Sequence, residues 1–337
     1  MAKRVALTLA LLLATVTAAA QSPTSDDMTA TRPNFAGEPE QITLRLGLLD
    51  IAEIDDREQV FTADIFIEAQ WLDPRLAVGN HAPELRTMAL DQIWNPRLTV
   101  VNSRGLDILL PQVATVDREG RVTARQRLAG SLAVDLDLRD FPFDKQRLPI
   151  EFASYQYSQD EVVFSADSKF VARFDELSGN GWAFEAIAAE PFVYKLDDGG
   201  RGASGLVFAI MAEREWAYFA LTIALPMTVI LFLAWMVHWL PVDVIPARIG
   251  TASATVFSLI AFGVSFRLTL PKIAYLTDAD RFLMGSTLLV LVSLAITVAG
   301  IRQVGNDKKD SAERLARRTR LAFPILYGLV AVLALSA

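Results

Sequence analysis

Between Arg248 and Arg267 lie eighteen uncharged residues. As a helix they would cross most of a bilayer. The run is nonetheless broken by Thr251, Ser253, Thr255, Ser258 and Ser265, and by Gly250 and Gly263. Such residues gain nothing against lipid. They suit a helix packed closely on others, or one whose face meets water. At helical spacing one stripe is Gly250, Ala254, Phe257, Ala261, Val264 and Leu268, and its neighbour is Thr251, Thr255, Ser258, Phe262 and Ser265. One helix encloses no channel, but several copies about an axis do, each turning its small or polar face to the lumen. The chemistry on offer is passage of an ion. A tightly packed central helix is the other open reading.

Elsewhere the chain carries little that could catalyse. It has no cysteine and two histidines, His81 and His238, so neither a disulfide nor a histidine-built metal site is expected. There is no glycine-rich phosphate loop and no nucleophile–base pair, and we expect no enzyme activity and no cofactor. The net charge of -7 argues against a nucleic-acid partner. Arg121, Arg125 and Arg127 alternate to one side of a strand, where they would hold an anionic group or form a solvated face. Glu53, Asp55, Asp56 and Glu58 form an acidic cluster that would titrate with protons or serve as an ordinary loop.

The elements that must position these residues change character once along the 337-residue chain, which is 52% hydrophobic. Residues 1–20 pair Lys3 and Arg4 with an apolar run and Ala18-Ala19-Ala20, and read as a secretory signal. Residues 21–40, rich in Ser, Thr, Asp and Pro, read as a flexible leader. From 41 to 215 short alternating segments, among them ITLRLGLLDI, VFTADIFIEAQW, LAVDLDLRDF and RLPIEFASY, predict an antiparallel all-β sandwich of about ten strands. A short helix is expected near Glu40 or over residues 81–88. Residues 216–337 then predict a four-helix transmembrane bundle, with spans at about 217–240, 246–268, 280–302 and 319–337. Lys308, Lys309, Arg314, Arg317 and Arg318 fall in a predicted cytoplasmic loop, residues 303–318, and Arg320 just beyond it. This agrees with an exported β-domain, since basic residues stay inside. Export without cysteine points to a multi-pass protein of a bacterial inner membrane, with the β-domain on the periplasmic or extracellular side.

The motifs then converge. FPFDKQRL (141–148) resembles the signature of pentameric ligand-gated ion channels, the Cys-loop receptor superfamily, in its prokaryotic form. The two cysteines that name the animal members fall at Val134 and Leu148. WLDPRL (71–76) resembles the family's W-x-D-x-R-L. IWNPRLTVVN (93–102) resembles its W-x-P…N segment, with Arg97 in place of the usual Asp. LPKIAYLT (270–277) resembles the linker after the pore helix, and Arg214 and Pro226 match an arginine before the first span and a proline within it. The resemblance covers about residues 40–337.

It implies an extracellular immunoglobulin-like sandwich, four helices per subunit, a homopentamer in the lipid bilayer, and a pore opened by a small-molecule or proton agonist to an inorganic ion. Pro246-Ala247-Arg248 is similar to the inner mouth of the GABA and glycine receptor branch. That register turns Gly250, Ala254, Phe257, Ala261, Val264 and Leu268 toward the axis, with Phe257 as the gate helped by Val264, and sets Arg248 at the inner mouth or sideways into the protein. Five copies of Arg248 at the inner mouth, with no acidic residue between Asp243 and Asp278, lean to anions; a cation-selective pore of the same family is the alternative. The agonist box it implies takes Tyr155, Tyr157 and Tyr194 on one face and Phe66 on the other, with Arg125 and Arg127 nearby. Coupling between domains falls to Asp55, Asp56, Pro142, Phe143, Asp144, Arg214, Pro271 and Lys272, with Arg214 grouped with Asp144 and an acid of the first turn.

Overall fold

The computed structural model describes residues 31–34, 37–79, 81–167, 171–172, 176–195, 202–268 and 272–335. The expected signal (1–20) and most of the leader lie outside them, as do Pro271 and the centre of the Gly-rich segment that follows Lys195.

Alternation becomes strand wherever the backbone finds a neighbour. Twelve described strands run β1 (Glu40–Asp55), β2 (Val60–Leu72), β3 (Leu85–Ala89), β4 (Leu98–Val100), β5 (Ser103–Ile108), β6 (Val113–Asp117), β7 (Arg121–Ala133), β8 (Lys145–Ser158), β9 (Val162–Ala166), β10 (Val171–Ala172), β11 (Trp182–Tyr194) and β12 (Ala203–Arg214). One sheet orders them β10-β1-β2-β7-β6-β3, with β5 also on β7 and β9 also on β1; the other is β11-β12-β8-β4. The core lies between the sheets. Leu44, Leu46, Ile65 and Ile67 enter from one, and Phe152, Phe208 and Ile210 from the other. Trp94, fully buried, donates its indole N–H to Tyr157 Oη at 2.9 Å and stands edge-on to Trp71 at 6.1 Å.

Three expectations need correction. Residues 134–141 of LAVDLDLRDF are not a strand, although Val134, Leu136 and Leu138 alternate inward. Side chains take two of their central amides: Asp137 N–H donates to Gln146 Oε1 at 3.1 Å, and Leu138 N–H to Tyr275 Oη at 3.0 Å. Alternation reports burial of an extended chain, not its pairing. Among the described residues no helix forms near Glu40, which opens β1, or over 81–88, which feeds β3; a short helical turn lies instead at Pro74–Leu76, capped by Asp73. The segment 303–318 is not a loop, because only three residues separate two helices there.

After Arg214 the chain becomes helical. Helix α1 spans Trp216–Trp239, α2 Ile245–Arg267, α3 Asp278–Gly305 and α4 Lys309–Leu335. Helix α1 widens into a π turn over Ala220–Ala224, just ahead of Pro226. Proline lacks the N–H the regular ladder needs and crowds the preceding turn, so the turn loosens there. Helices α1, α2 and α3 are long and apolar enough to cross a membrane. Helix α4 is charged over its first half and apolar from Leu321 onward. It is held to the bundle by Trp235 Nε1–H donating to Arg320 O at 3.0 Å, by Arg320 Nε–H donating to His238 O at 2.9 Å, and by the Thr228–Tyr327 hydroxyl pair at 2.7 Å.

Candidate functional site

Two places bring chemistry-bearing residues together: the junction of the β-domain with the helices, and the outward face of α2.

At the junction, Arg214 ends β12 and is 3% exposed. Its guanidinium forks to both oxygens of Asp56 at 2.8 Å each, and to both oxygens of Asp144 at 2.7 and 3.1 Å. Planar donors in a fixed fork match two carboxylates in a way a lysine could not. Asp144 also accepts from Gln146 Nε2, and its own carbonyl accepts from Arg214 N–H. The cation sits over Trp182 at 4.1 Å, Phe141 at 4.9 Å and Phe219 at 5.1 Å. The clamp thus ties the β1–β2 turn, the 134–144 loop, β11, β12 and the first turns of α1 to one charge. Burial alone would lower Arg214, but the hydrogen bonds and charges of Asp56 and Asp144 outweigh it and hold it above its ordinary range. With its folded pKa raised, the charge of Arg214 contributes stability that is fully present below the pKa of an unfolded arginine and is lost only in strong alkali.

The same loop touches the second and third helices' connection. Tyr275 Oη accepts from Leu138 N–H and donates to Leu136 O at 3.3 Å, with Arg139 stacked on its ring at 5.0 Å. Asp278 N–H, at the start of α3, donates to Arg139 O at 3.0 Å. Phe143, 45% exposed, packs on Trp216. Pro142 follows Phe141 through a cis peptide. Lys272 is exposed. Asp55 stands apart from the clamp: its carboxylate caps its own turn by accepting from Arg57 and Glu58 N–H at 2.9 Å. Gln146 and Tyr275 also belong to the junction and lie within the segments 141–148 and 270–277 without being singled out by them, and Trp182 carries no sequence signal that sets it apart from other aromatic residues.

On α2 the outward stripe is Gly250, Ala254, Phe257, Ala261, Val264 and Leu268, all exposed, with Phe257 at 71%. A β-carbon added at Gly250 would meet nothing within 4 Å, so packing inside the subunit does not require its smallness. Thr255 lies on the opposite side, buried, its hydroxyl bonded to Ala252 O at 2.7 Å. Arg248 is the correction here. It is 1% exposed and lies inside the bundle near Gly300, so it does not share the outward stripe. It stands two residues before Gly250, which turns it to the flank facing α3.

The expected agonist residues divide. Tyr155 is exposed on β8 and Tyr194 half-buried on β11, strands of one sheet. Tyr157 is core, bonded to Trp94, and offers no ring face to solvent. Phe66 is half-buried on β2, opposite Gly47 and Arg127. Arg125 and Arg127 are already partnered. Arg125 donates to the buried Glu68 at 2.7 Å, which also pairs with Arg45 at 3.2 Å, and Arg127 forks onto Asp64 at 3.0 and 2.6 Å. Asp64 holds Arg127 above its ordinary range. No group of three or more metal-ligating side chains occurs among the described residues.

The chain matches the family described as "Neurotransmitter-gated ion-channel ligand binding domain" over residues 24–185. It matches "Neurotransmitter-gated ion-channel transmembrane region" over residues 223–326. It is 26% identical over 309 residues to a proton-gated ion channel of Gloeobacter violaceus, an alignment spanning 89% of this chain and 84% of that protein.

Removing Arg214 leaves Asp144, with its side chain 1% exposed, uncompensated. Arg214→Ala is expected to destabilise the β-domain by ~3–5 kcal/mol. Asp144→Ala should cost much the same, and the double variant far less than the sum. Chemical unfolding of the four proteins checks this; additive losses would contradict the clamp.

Proposed function

The chain belongs to the neurotransmitter-gated ion-channel family, and on that premise we propose that five copies close a ring around an aqueous axis lined by the outward stripe of α2. As a member it is a transmembrane ligand-gated ion channel and not an enzyme. The proposal adds the homopentamer, the lining, the gate, the selectivity and the agonist. The observation that carries it is the orientation of α2: its Gly250–Ala254–Phe257–Ala261–Val264–Leu268 stripe leaves the subunit, while Thr255 and Arg248 turn into it.

In such a ring Phe257 supplies five aromatic side chains with nothing to replace an ion's water, and the constriction closes by dewetting. Val264 and Leu268 form apolar rings toward the outer end. The first three helices span the bilayer, and the apolar half of α4 spans it as the outermost helix. The signal at 1–20 is removed, and the β-domain stands outside a bacterial inner membrane.

Selectivity leans to anions, on grounds that exclude Arg248. The outward stripe bears no carboxylate, and Arg267 is exposed at the outer end of α2. Asp243, beside the inner mouth, is engaged by Lys309 at 2.6 Å. A small ligand held between subunits near Tyr155, Tyr194 and Phe66 is the agonist. A second reading, the proton as agonist, is favoured by the proton-gated relative. Arg125 and Arg127 are engaged by Glu68 and Asp64 and are not free to hold an anion.

Planar-bilayer recording of the purified chain across a pH series and a panel of amines and amino acids tests the channel and its agonist. In a roughly tenfold NaCl gradient an anion-selective pore reverses near the chloride potential, about 59 mV from zero. Reversal at the sodium potential would overturn the selectivity. Phe257→Ala is expected to conduct without agonist, and an unchanged resting current would remove Phe257 from the gate.

A further inference from the structure

Two cavities of about 510 and 120 Å3 open along the seam between α3 and α4, and both are walled by Leu289, Val292 and Leu326. They therefore form one groove. On α3 it runs from Arg281 to Ile296, a length of about 22 Å at the helical rise. The hydrocarbon of one leaflet is about 15 Å deep. Leu288, Leu326, Leu329 and Leu333 on the wall are exposed, so the groove opens away from the subunit.

The two ends differ in charge. At the outer end Arg281 is ion-paired to Asp278. At the inner end the wall carries Arg318, with Arg314 one helical turn before it, and both are exposed. Arg314 donates to the Ser311 hydroxyl at 2.9 Å, and neither arginine meets a carboxylate within ion-pair distance among the described residues. Like charges four residues apart on a helix repel, and an anion held between them removes the repulsion. This end also lies at the level where the first span stops. Arg320, two residues on from Arg318, stacks over Trp239 at 4.8 Å, and Trp239 is half-exposed at the end of α1. Tryptophan at the end of a span marks the headgroup layer, where an arginine fork matches phosphate.

We propose that this seam is a binding site for one anionic phospholipid of the inner leaflet. Arg318 and Arg314 hold the phosphate, and an acyl chain lies in the groove along Val292 and Leu329. The orientation follows from charge: the outer arginine already has its carboxylate, and the two inner ones have none. The site rests on the reading that α4 is the outermost helix in the bilayer. It does not depend on the agonist or on the ion conducted.

Native mass spectrometry of the full-length protein, equilibrated in detergent with dioleoylphosphatidylglycerol or dioleoylphosphatidylcholine, tests this. Phosphatidylglycerol should be retained at one copy per subunit under conditions where phosphatidylcholine is lost. Combining Arg314→Gln with Arg318→Gln should weaken it at least about tenfold. Val292→Trp, which fills the groove and keeps both arginines, should weaken it severalfold. Arg302→Gln removes an exposed charge from the same end of α3 but off the groove wall, and should leave retention unchanged. Retention of neither lipid, equal retention of both, or full affinity in the doubly substituted protein would overturn the site. Loss of the oligomer in Val292→Trp, with lipid still bound, would give the groove to a neighbouring subunit and overturn it as well. Because lipid is counted without current, failure here is distinct from failure of the channel proposal.

Discussion

A single guanidinium holds the two halves of this protein in register. Arg214 is covalently part of the last strand, lies one residue short of the first helix, and is ion-paired to the two loops that descend from the sandwich. Taking one partner away from this buried group leaves a charge uncompensated at a cost of several kcal/mol, roughly 3–5. Any displacement of the β1–β2 turn or of the 134–144 loop therefore acts on the clamp at once. The aromatic rings of Trp182, Phe141 and Phe219 close around the cation, so the strain of such a displacement passes to α1 through packed side chains. The neighbouring contacts of Tyr275 and Asp278 carry the same loop to the connection between α2 and α3. Contiguous contacts thus run from the β-domain to the connection between α2 and α3.

The pore helix answers to a different constraint. Its polarity does not mark the face that leaves the subunit: Thr255 closes its own hydrogen bond and faces inward, while the outward stripe is small and apolar, interrupted by an aromatic ring. In the proposed ring such a face would bind ions weakly and act through wetting and width. Arg248 follows the same logic in reverse. Its buried Nε and one terminal nitrogen find no partner among the described residues, so its charge works inside the bundle and not on the lining.

Much of this was legible in the residues. The two-part plan follows from where period-two alternation stops and charge-free runs begin, near Trp216, and the motif at 141–148 singles out the loop that meets the helices. Helical spacing alone separates the two stripes of α2, although choosing the outward one requires the packing. Other features were invisible for physical reasons. Residues 134–141 alternate without pairing because side chains of Gln146 and Tyr275 take the place of a neighbouring strand. Tyr155 and Tyr157 sit two apart with the same residue type, and only the presence of Trp94 behind one of them decides which is core. Asp55 and Asp56 are adjacent, and a turn decides which one caps and which one reaches Arg214.

Because the chain has no cysteine, single cysteines introduced into α2 report on their own positions alone. The most direct measurement is the effect of a charged thiol reagent on current through Ala254→Cys, Ala261→Cys, Thr255→Cys and Leu259→Cys channels. The reagent is expected to change current through the first two and to leave the last two unaffected, since Thr255 and Leu259 are buried in the bundle. Modification of Thr255→Cys or Leu259→Cys, with Ala254→Cys and Ala261→Cys silent, would contradict it.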